Sequence, residues 1–266
     1  MPASFHNAWL ATSRARILIA VLLVSFMLWE GAVSLFQIPQ FLLPPPRLVL
    51  QEIAQAPGWF ADATYYTLLA TILGFLLAVV FGIMLALMIA SSRVVEQTLY
   101  TALVALNSIP KVAIAPLLLI WIGSGIESKI VMAAVIAIFP IIVDTALGLR
   151  SVDPDTLDLA RSLGGRTWGV MLKIRLPNAL PSMFAGMKVA ISFALIGTIV
   201  GEFVSSSRGL GYIIMTAQSE FQTARIFAAL LILAVSGTIL FVILDVLERA
   251  LLPWHVSRRR EEMAAA

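Results

Sequence analysis

The sequence contains no cysteine and little charge. Its 266 residues include 0 Cys and 2 His, His6 and His255 in opposite tails, so a disulfide framework, a thiolate metal site and a histidine ligand cluster are all excluded. Neither H-E-x-x-H nor G-x-S-x-G occurs, and we predict no catalytic residue, metal or cofactor for this chain. A G-x-x-x-x-G-K-[ST] phosphate loop is also missing, which indicates that the chain does not hydrolyse ATP itself.

Apolar residues are abundant instead. They make up 60% of the chain, charged residues make up 12%, and the mean hydropathy is +0.97. A soluble domain is nearer half apolar and a quarter charged, so the composition predicts an integral membrane protein. The formal net charge of +3 does not indicate nucleic-acid binding, because the basic residues are spread along the chain rather than gathered in one patch.

Six apolar runs approach or exceed the roughly 20 residues that span a bilayer. We predict an all-α membrane protein with spans at about 17–36, 65–90, 98–122, 128–149, 181–204 and 226–247. The first run is too long for the core of a cleaved signal peptide, so we expect it to be retained. Gly74 and Gly82 are small residues that allow close helix approach. The predicted domains are a cytoplasmic lead (1–16), a single transmembrane domain (17–252) and a cytoplasmic tail (253–266).

One charged segment interrupts the apolar runs. Arg150–Pro177 carries eight charged residues, namely Arg150, Asp153, Asp155, Asp158, Arg161, Arg166, Lys173 and Arg175. Such a segment cannot lie in hydrocarbon and must face water. Asp153 and Pro154 are typical of a helix start, and Gly164-Gly165 of a helix end. A helix of about ten residues is marginal alone in water, so it packs either on its own membrane helices or on another protein.

The spacing within this segment is specific. Asp158-Leu159-Ala160 is followed after three residues by Gly164, after nine more by Ile174, and after one more by Leu176-Pro177. This pattern resembles the EAA motif of ABC importer permeases, with Asp158 in place of the usual Glu and Leu159 in place of the first Ala. In that family the segment is the coupling helix, which contacts the ATPase subunit. The resemblance therefore assigns ATPase coupling to Asp158, Leu159, Ala160, Arg161, Leu163, Gly164, Ile174, Leu176 and Pro177.

The resemblance extends over roughly residues 41–252. Leu43-Pro44-Pro45-Pro46, Ile109-Pro110-Lys111 to Gly123, and Gly201-Glu202 to Gly209-Leu210-Gly211 are similar to the nitrate/sulfonate/taurine-type branch of the type I importers. It implies a bacterial inner-membrane complex of two permease copies, two ATPase subunits that bind ATP and Mg, and an external solute-binding protein. A homodimer of this chain is the simplest assembly. The solute that the branch implies is a small organic or inorganic anion, of the sulfonate, taurine or nitrate type. The alternatives are an aromatic acid or a vitamin precursor.

Several polar residues fall inside the predicted spans. Pro110 should kink or break the third span, and Lys111 near the bilayer centre costs ~3 kcal/mol on insertion scales. Either Lys111 is a paired structural lysine, or it faces a polar pathway with Asn107 and Ser108. The candidate pathway residues are Asn107, Ser108, Pro110, Lys111, Asp144, Lys188 and Glu202. Asp144 and Lys188 lie at similar depths in the fourth and fifth spans, and we predict that they pair.

The distribution of basic residues predicts the orientation. With the N-terminus inside, the inner segments hold twelve Lys and Arg residues, the outer segments hold four, and Lys111 and Lys188 are intramembrane, which accounts for all 18. The positive-inside rule then places both termini and Arg150–Pro177 in the cytoplasm. An ATP-independent secondary transporter and an intramembrane enzyme are the other classes. An inverted repeat would be evidence for the first class, and a cluster of His, Asp or Ser across the spans would be evidence for the second. Neither feature is evident in the sequence.

Overall fold

The computed structural model describes residues 20, 21 and 23–253, so the N-terminal lead, most of the C-terminal tail, His6 and His255 lie outside the described residues. The described part of the chain is helical and contains no strand. Its α-helices are α1 Leu23–Leu35, α2 Pro46–Gln55, α3 Pro57–Ser91, α4 Arg93–Val95, α5 Thr101–Asn107, α6 Ala115–Ile122, α7 Ile126–Arg150, α8 Pro154–Ser162, α9 Thr167–Val170, α10 Leu176–Ser205, α11 Leu210–Ser219 and α12 Thr223–Leu251. Two π-helical turns, Glu96–Tyr100 and Met171–Arg175, lead into α5 and α10, and a 3-10 turn, Lys111–Ile114, precedes α6.

Four continuous helices are long and apolar enough to cross a membrane. They are Pro57–Ser91, Ile126–Arg150, Thr167–Ser205 and Thr223–Leu251, and a bent pair of helices supplies up to one more. They cover the second to sixth predicted spans. Of the first predicted span, the described residues show the shorter apolar helix α1. By length and composition, residues 23–253 therefore contain four or five spans.

The third predicted span is not one straight helix. Glu96–Asn107 and Lys111–Ile122 meet at 82°. Pro110 lies at the break with ψ 101°, outside the helical region. Proline has no N–H to donate to the preceding turn, and its ring clashes with that turn, so the helix ends before it. The predicted kink or break at Pro110 is confirmed as a break, so the third predicted span, 98–122, corresponds to a bent pair of helices.

The chain divides into two compact units. The described part of the first consists of the residues up to Ala61 together with Ile213–Leu231. Within it, the Trp29 ring packs against the rings of Phe26 and Phe227, with centroid distances of 5.9 and 5.7 Å. Glu30 forms an ion pair with Arg47 at 3.4 Å. Aromatic packing and paired charges hold this unit together.

The second unit, Asp62–Tyr212 with Ile232–Pro253, is built around α7. Small residues bring α3 and α10 close to it: a Cβ on Gly74 would lie 2.5 Å from the Ala133 Cβ, and one on Gly197 would lie 2.7 Å from the Ala133 Cα. Gly82 approaches Ile141 in the same way, at 2.8 Å. The predicted role of Gly74 and Gly82 in close helix approach is confirmed, because any larger residue would separate these helices.

Candidate functional site

The charged segment Arg150–Pro177 starts with a capped helix. The Asp153 Oδ1 accepts a hydrogen bond from the Asp155 backbone N–H at 2.8 Å, and Pro154 occupies the first turn of α8. The cap satisfies a donor that the first turn leaves unpaired, and the missing N–H of proline costs nothing there. The predicted helix start is confirmed.

Two glycines end this helix. Gly164 has φ +78°, a left-handed conformation that favours glycine. The Gly165 N–H donates to the Ala160 carbonyl at 2.9 Å, and a Cβ on Gly165 would lie 2.5 Å from that oxygen. The turn therefore needs glycine at both positions, as the sequence predicted. The chain then continues through α9 and a π-helical turn directly into α10.

The helix α8 presents apolar side chains to its surroundings. None of its residues is buried, and Leu159 is 61% exposed. Leu163, the C-cap residue of α8, and Trp168 of α9 are 79% and 70% exposed. Asp158 and Arg161 form an exposed ion pair one turn apart, at 3.1 Å, a kind of pair that contributes little to stability. Exposed large apolar side chains on a water-facing segment are typical of a protein interaction surface.

The remaining predicted coupling residues lie where the segment joins the membrane helix. Ile174 and Leu176 are half-buried, whereas Pro177 is exposed in the first turn of α10, where it does not end the helix. Ala160 is also half-buried. The predicted coupling residues therefore lie in two stretches, one in α8 and the turn after it, and one where the segment joins α10.

Two arginines of the segment bind the end of α3. Arg150 donates to the Ile89 carbonyl at 3.3 Å and pairs with Glu96, and Arg175 donates to the Ala90 carbonyl at 3.5 Å. These carbonyls belong to the last turns of α3, where cations are favourable because of the helix dipole. A cavity of about 530 Å³ lies beside them and is lined by Arg150, Arg161, Trp168 and Arg175 among others. Polar contacts of Arg150 and Arg175 therefore attach the segment that carries the exposed apolar side chains to the end of α3.

A second cavity lies among the predicted spans. Its volume is about 420 Å³, and Asn107 and Lys111 line it together with side chains of α3 and α7. The Lys111 Nζ donates to the Ile136 carbonyl at 3.5 Å and lies 5.7 Å from the centroid of the Phe139 ring. Ser108 and Pro110 are exposed at the break of the bent pair. Two of the predicted pathway residues, Asn107 and Lys111, therefore line this cavity, and Ser108 and Pro110 lie between them in the chain.

The predicted pair between Asp144 and Lys188 is wrong. The Lys188 Nζ lies 2.5 Å from Asp245 Oδ1 and 2.5 Å from Glu248 Oε2, both on α12. Asp144 faces Gly186, where a Cβ would lie 2.8 Å from the Asp144 Cβ. Because α7 and α10 pack closely at Gly186, Asp144 is half-buried between them, and Lys188 projects to a different neighbour. Lys188 is therefore engaged by two carboxylates.

Glu202 lies near the end of α10 and is buried. It is 1% exposed. Its Oε1 accepts from the Thr67 hydroxyl at 2.8 Å, and its Oε2 accepts from the Gly211 N–H at 2.6 Å. The Thr67 oxygen in turn accepts from the Leu210 N–H at 2.9 Å. Glu202 therefore fastens the Gly209–Gly211 loop to α3.

Sequence reasoning missed three charged residues of this unit. Lys129 is one of the four basic residues that the orientation argument assigns to the outer segments, with Arg47, Arg208 and Arg225. In the structure it is 0% exposed and donates to the carbonyls of Ser124, at 2.6 Å, and Ser205. Asp245 and Glu248, the partners of Lys188, were not identified. Their spacing of three residues places them on one helix face, a signal that was available in the sequence. No metal-binding cluster of three His, Cys, Asp or Glu occurs within the described residues.

Comparison with known sequences identifies relatives over most of the chain. The family described as "binding-protein-dependent transport system inner membrane component" matches residues 78–253. A probable ABC transporter permease protein of Haemophilus influenzae is 39% identical over 87% of this chain and 96% of its own. A riboflavin transport system permease protein of Chloroflexus aurantiacus is 36% identical over 89% of each chain. A putative aliphatic sulfonates transport permease protein of Bacillus subtilis is 31% identical over 88% of this chain and 86% of its own.

A solved structure supports the fold. The inward-facing MetNI methionine ABC transporter contains a chain that is 18% identical, with a TM-score of 0.66, over 74% of this chain and 97% of that one. At this identity the similarity shows the fold alone. About three quarters of this chain therefore shares the fold of the matched chain.

Proposed function

Because the chain belongs to the family of inner membrane components of binding-protein-dependent transport systems and is a permease of an ABC importer, we propose that Arg150–Pro177 couples it to a separate ATPase. The observation that carries this proposal is the exposure of Leu159, Leu163 and Trp168 on a segment anchored by Arg150 and Arg175. An apolar surface of this kind needs a partner in water, and the permease itself has no phosphate loop.

The assembly that we propose contains two copies of this chain, two ATPase subunits that bind ATP and Mg, and an external solute-binding protein. We also propose that the chain has six spans, both termini in the cytoplasm, and one transmembrane domain over residues 17–252. The support for this topology is the excess of Lys and Arg in the inner segments. ATP binding would draw the two coupling segments together, and the spans would then open outward to receive solute.

For the solute we propose a small anion of the sulfonate, taurine or nitrate type. The similarity to a sulfonate permease and the cation Lys111 beside the 420 Å³ cavity support it. The similarity to a riboflavin permease supports the second candidate, a vitamin precursor or aromatic acid. For the pathway we propose Asn107, Ser108, Pro110 and Lys111.

Co-purification of the ATPase with the permease tests the coupling surface. We expect Leu159→Ser and Leu163→Ser, separately and together, to lower the amount of ATPase retained, because they remove apolar contact area from the interface. The matched control is Leu42→Ser, which changes an equally exposed leucine (62%) in a segment predicted to lie outside. Retention of the full amount of ATPase by the double variant, with transport still coupled to hydrolysis, would refute the assignment.

A further inference from the structure

The cavity beside the bent pair has an unusual composition. Its described walls are almost entirely aliphatic and aromatic, with Phe81 of α3 and Phe139 of α7 contributing rings. Asn107 and Lys111 are the two polar residues among those that line it. Its volume of about 420 Å³ lies within the range of small-molecule sites, which are mostly apolar with a few placed polar groups.

Lys111 lacks the close hydrogen-bond partners that Lys188 and Lys129 have. Lys188 is paired with two carboxylates, and Lys129 donates to two backbone carbonyls. Lys111 has one long hydrogen bond to the Ile136 carbonyl and the face of Phe139, and no carboxylate of the described residues pairs with it. A cation in apolar surroundings is costly unless an anion is nearby.

We propose that this cavity is a solute-binding site within the permease, and that it accepts an organic monoanion with an apolar body, such as an aromatic carboxylate or sulfonate. The anionic group pairs with Lys111, Asn107 donates or accepts one hydrogen bond, and the apolar body packs between Phe81 and Phe139. This inference rests on the proposed function, since it assigns the solute class to the same pathway.

The walls distinguish this class from an inorganic anion. A nitrate or sulfate ion could pair with Lys111, but it would lose its hydration shell to aliphatic walls that offer no hydrogen bonds. A flat ring instead fills space between aromatic side chains. The site therefore selects by two features at once, one negative charge and a hydrophobic body.

Binding to the permease–ATPase complex in nanodiscs, without the solute-binding protein, tests the proposal. The probes are 4-toluenesulfonate, the neutral 4-toluenesulfonamide of nearly the same shape, and sulfate, each titrated calorimetrically. We expect saturable binding of 4-toluenesulfonate, at least about tenfold tighter than binding of the other two, because it alone combines a negative charge for a charge-assisted bond to Lys111 with an apolar body for the walls. Lys111→Met should remove that preference, and Lys111→Arg should retain it.

Two further variants test whether 4-toluenesulfonate binding depends on the cavity itself or on positive charge elsewhere in the protein. Leu106→Trp narrows the cavity at an exposed lining position and should weaken 4-toluenesulfonate about tenfold or more with Lys111 intact. Arg208→Gln removes an exposed positive charge outside the cavity and should leave binding unchanged.

Three outcomes would overturn the inference. They are no saturable binding of 4-toluenesulfonate, equal affinity in Lys111→Met, and displacement of the probe by phosphatidylglycerol added to phosphatidylcholine nanodiscs, which would assign the site to an anionic lipid. Each can occur while the ATPase still co-purifies and hydrolyses ATP, so failure here is distinguishable from failure of the proposed function.

Discussion

Glu202 illustrates how a charge in an apolar helix is held. Its carboxylate accepts hydrogen bonds from the Thr67 hydroxyl and the Gly211 N–H. Gly209, with φ +104°, packs directly on the carboxyl group, so a side chain there would clash. Each carboxylate oxygen of Glu202 therefore has a hydrogen-bond donor, and these bonds fix the position of the Gly209–Gly211 loop. At this scale the residue type alone does not distinguish a pathway residue from a structural one.

Removal of this carboxylate should destabilise the protein. We expect Glu202→Ala to lower the free energy of unfolding by about 2–5 kcal/mol, because two buried donors lose their acceptor. Glu202→Gln retains one acceptor oxygen and should cost less. Denaturant unfolding in detergent measures both, with Glu220→Ala at an exposed position as the control. Equal stability of Glu202→Ala and the control would refute the loop-anchoring role.

Lys188 provides a second test at the residue scale. Lys188→Met leaves Asp245 and Glu248 facing each other without their shared cation, and we expect a loss of about 1–3 kcal/mol in unfolding free energy. The effect of Asp144→Asn should be additive with that of Lys188→Met, because Lys188 pairs with Asp245 and Glu248 and not with Asp144. A double-mutant cycle that showed strong coupling between positions 144 and 188 would restore the pair that the structure rules out.

Elements that depend on local chemistry could be predicted from the sequence. The start of α8 at Asp153-Pro154, its end at Gly164-Gly165 and the break at Pro110 each follow from backbone rules within a few residues. The partners of Lys188 and the burial of Lys129 and Glu202 depend on which helix faces which. Hydropathy is nearly uniform around such helices, so it does not specify their neighbours.

Helix packing around α7 gives a prediction at this scale. Gly197→Val should push α10 away from Ala133 and cost about 1–3 kcal/mol or more, since overpacking forces backbone shifts. Gly31→Val in α1 is the matched control: it imposes the same change in helix propensity, and a Cβ there meets nothing within 4 Å. Thermal unfolding in detergent compares the two. Similar melting temperatures for both variants would contradict the close packing of α7 and α10.

For the whole molecule, sequence and structure support one mechanical account. The EAA-like spacing and the family match over residues 78–253 identify an importer permease, and the similarity to a solved chain supports the fold. The proposed solute-binding site could not be predicted from the sequence alone. The cavity beside Lys111 is formed by residues of α3, the bent pair and α7, which lie far apart in the chain. We expect movement of Arg150–Pro177 to reach that cavity through α7 and α10.

The most direct test is a cross-link from the exposed end of α8. The chain has no cysteine, so Leu163→Cys introduces a unique thiol. The account predicts that a thiol-reactive cross-linker joins this position to the ATPase in inside-out membrane vesicles, with a yield that changes when ATP is added. Labelling of the same thiol by a membrane-impermeant maleimide from outside intact cells, without any cross-link to the ATPase, would contradict it.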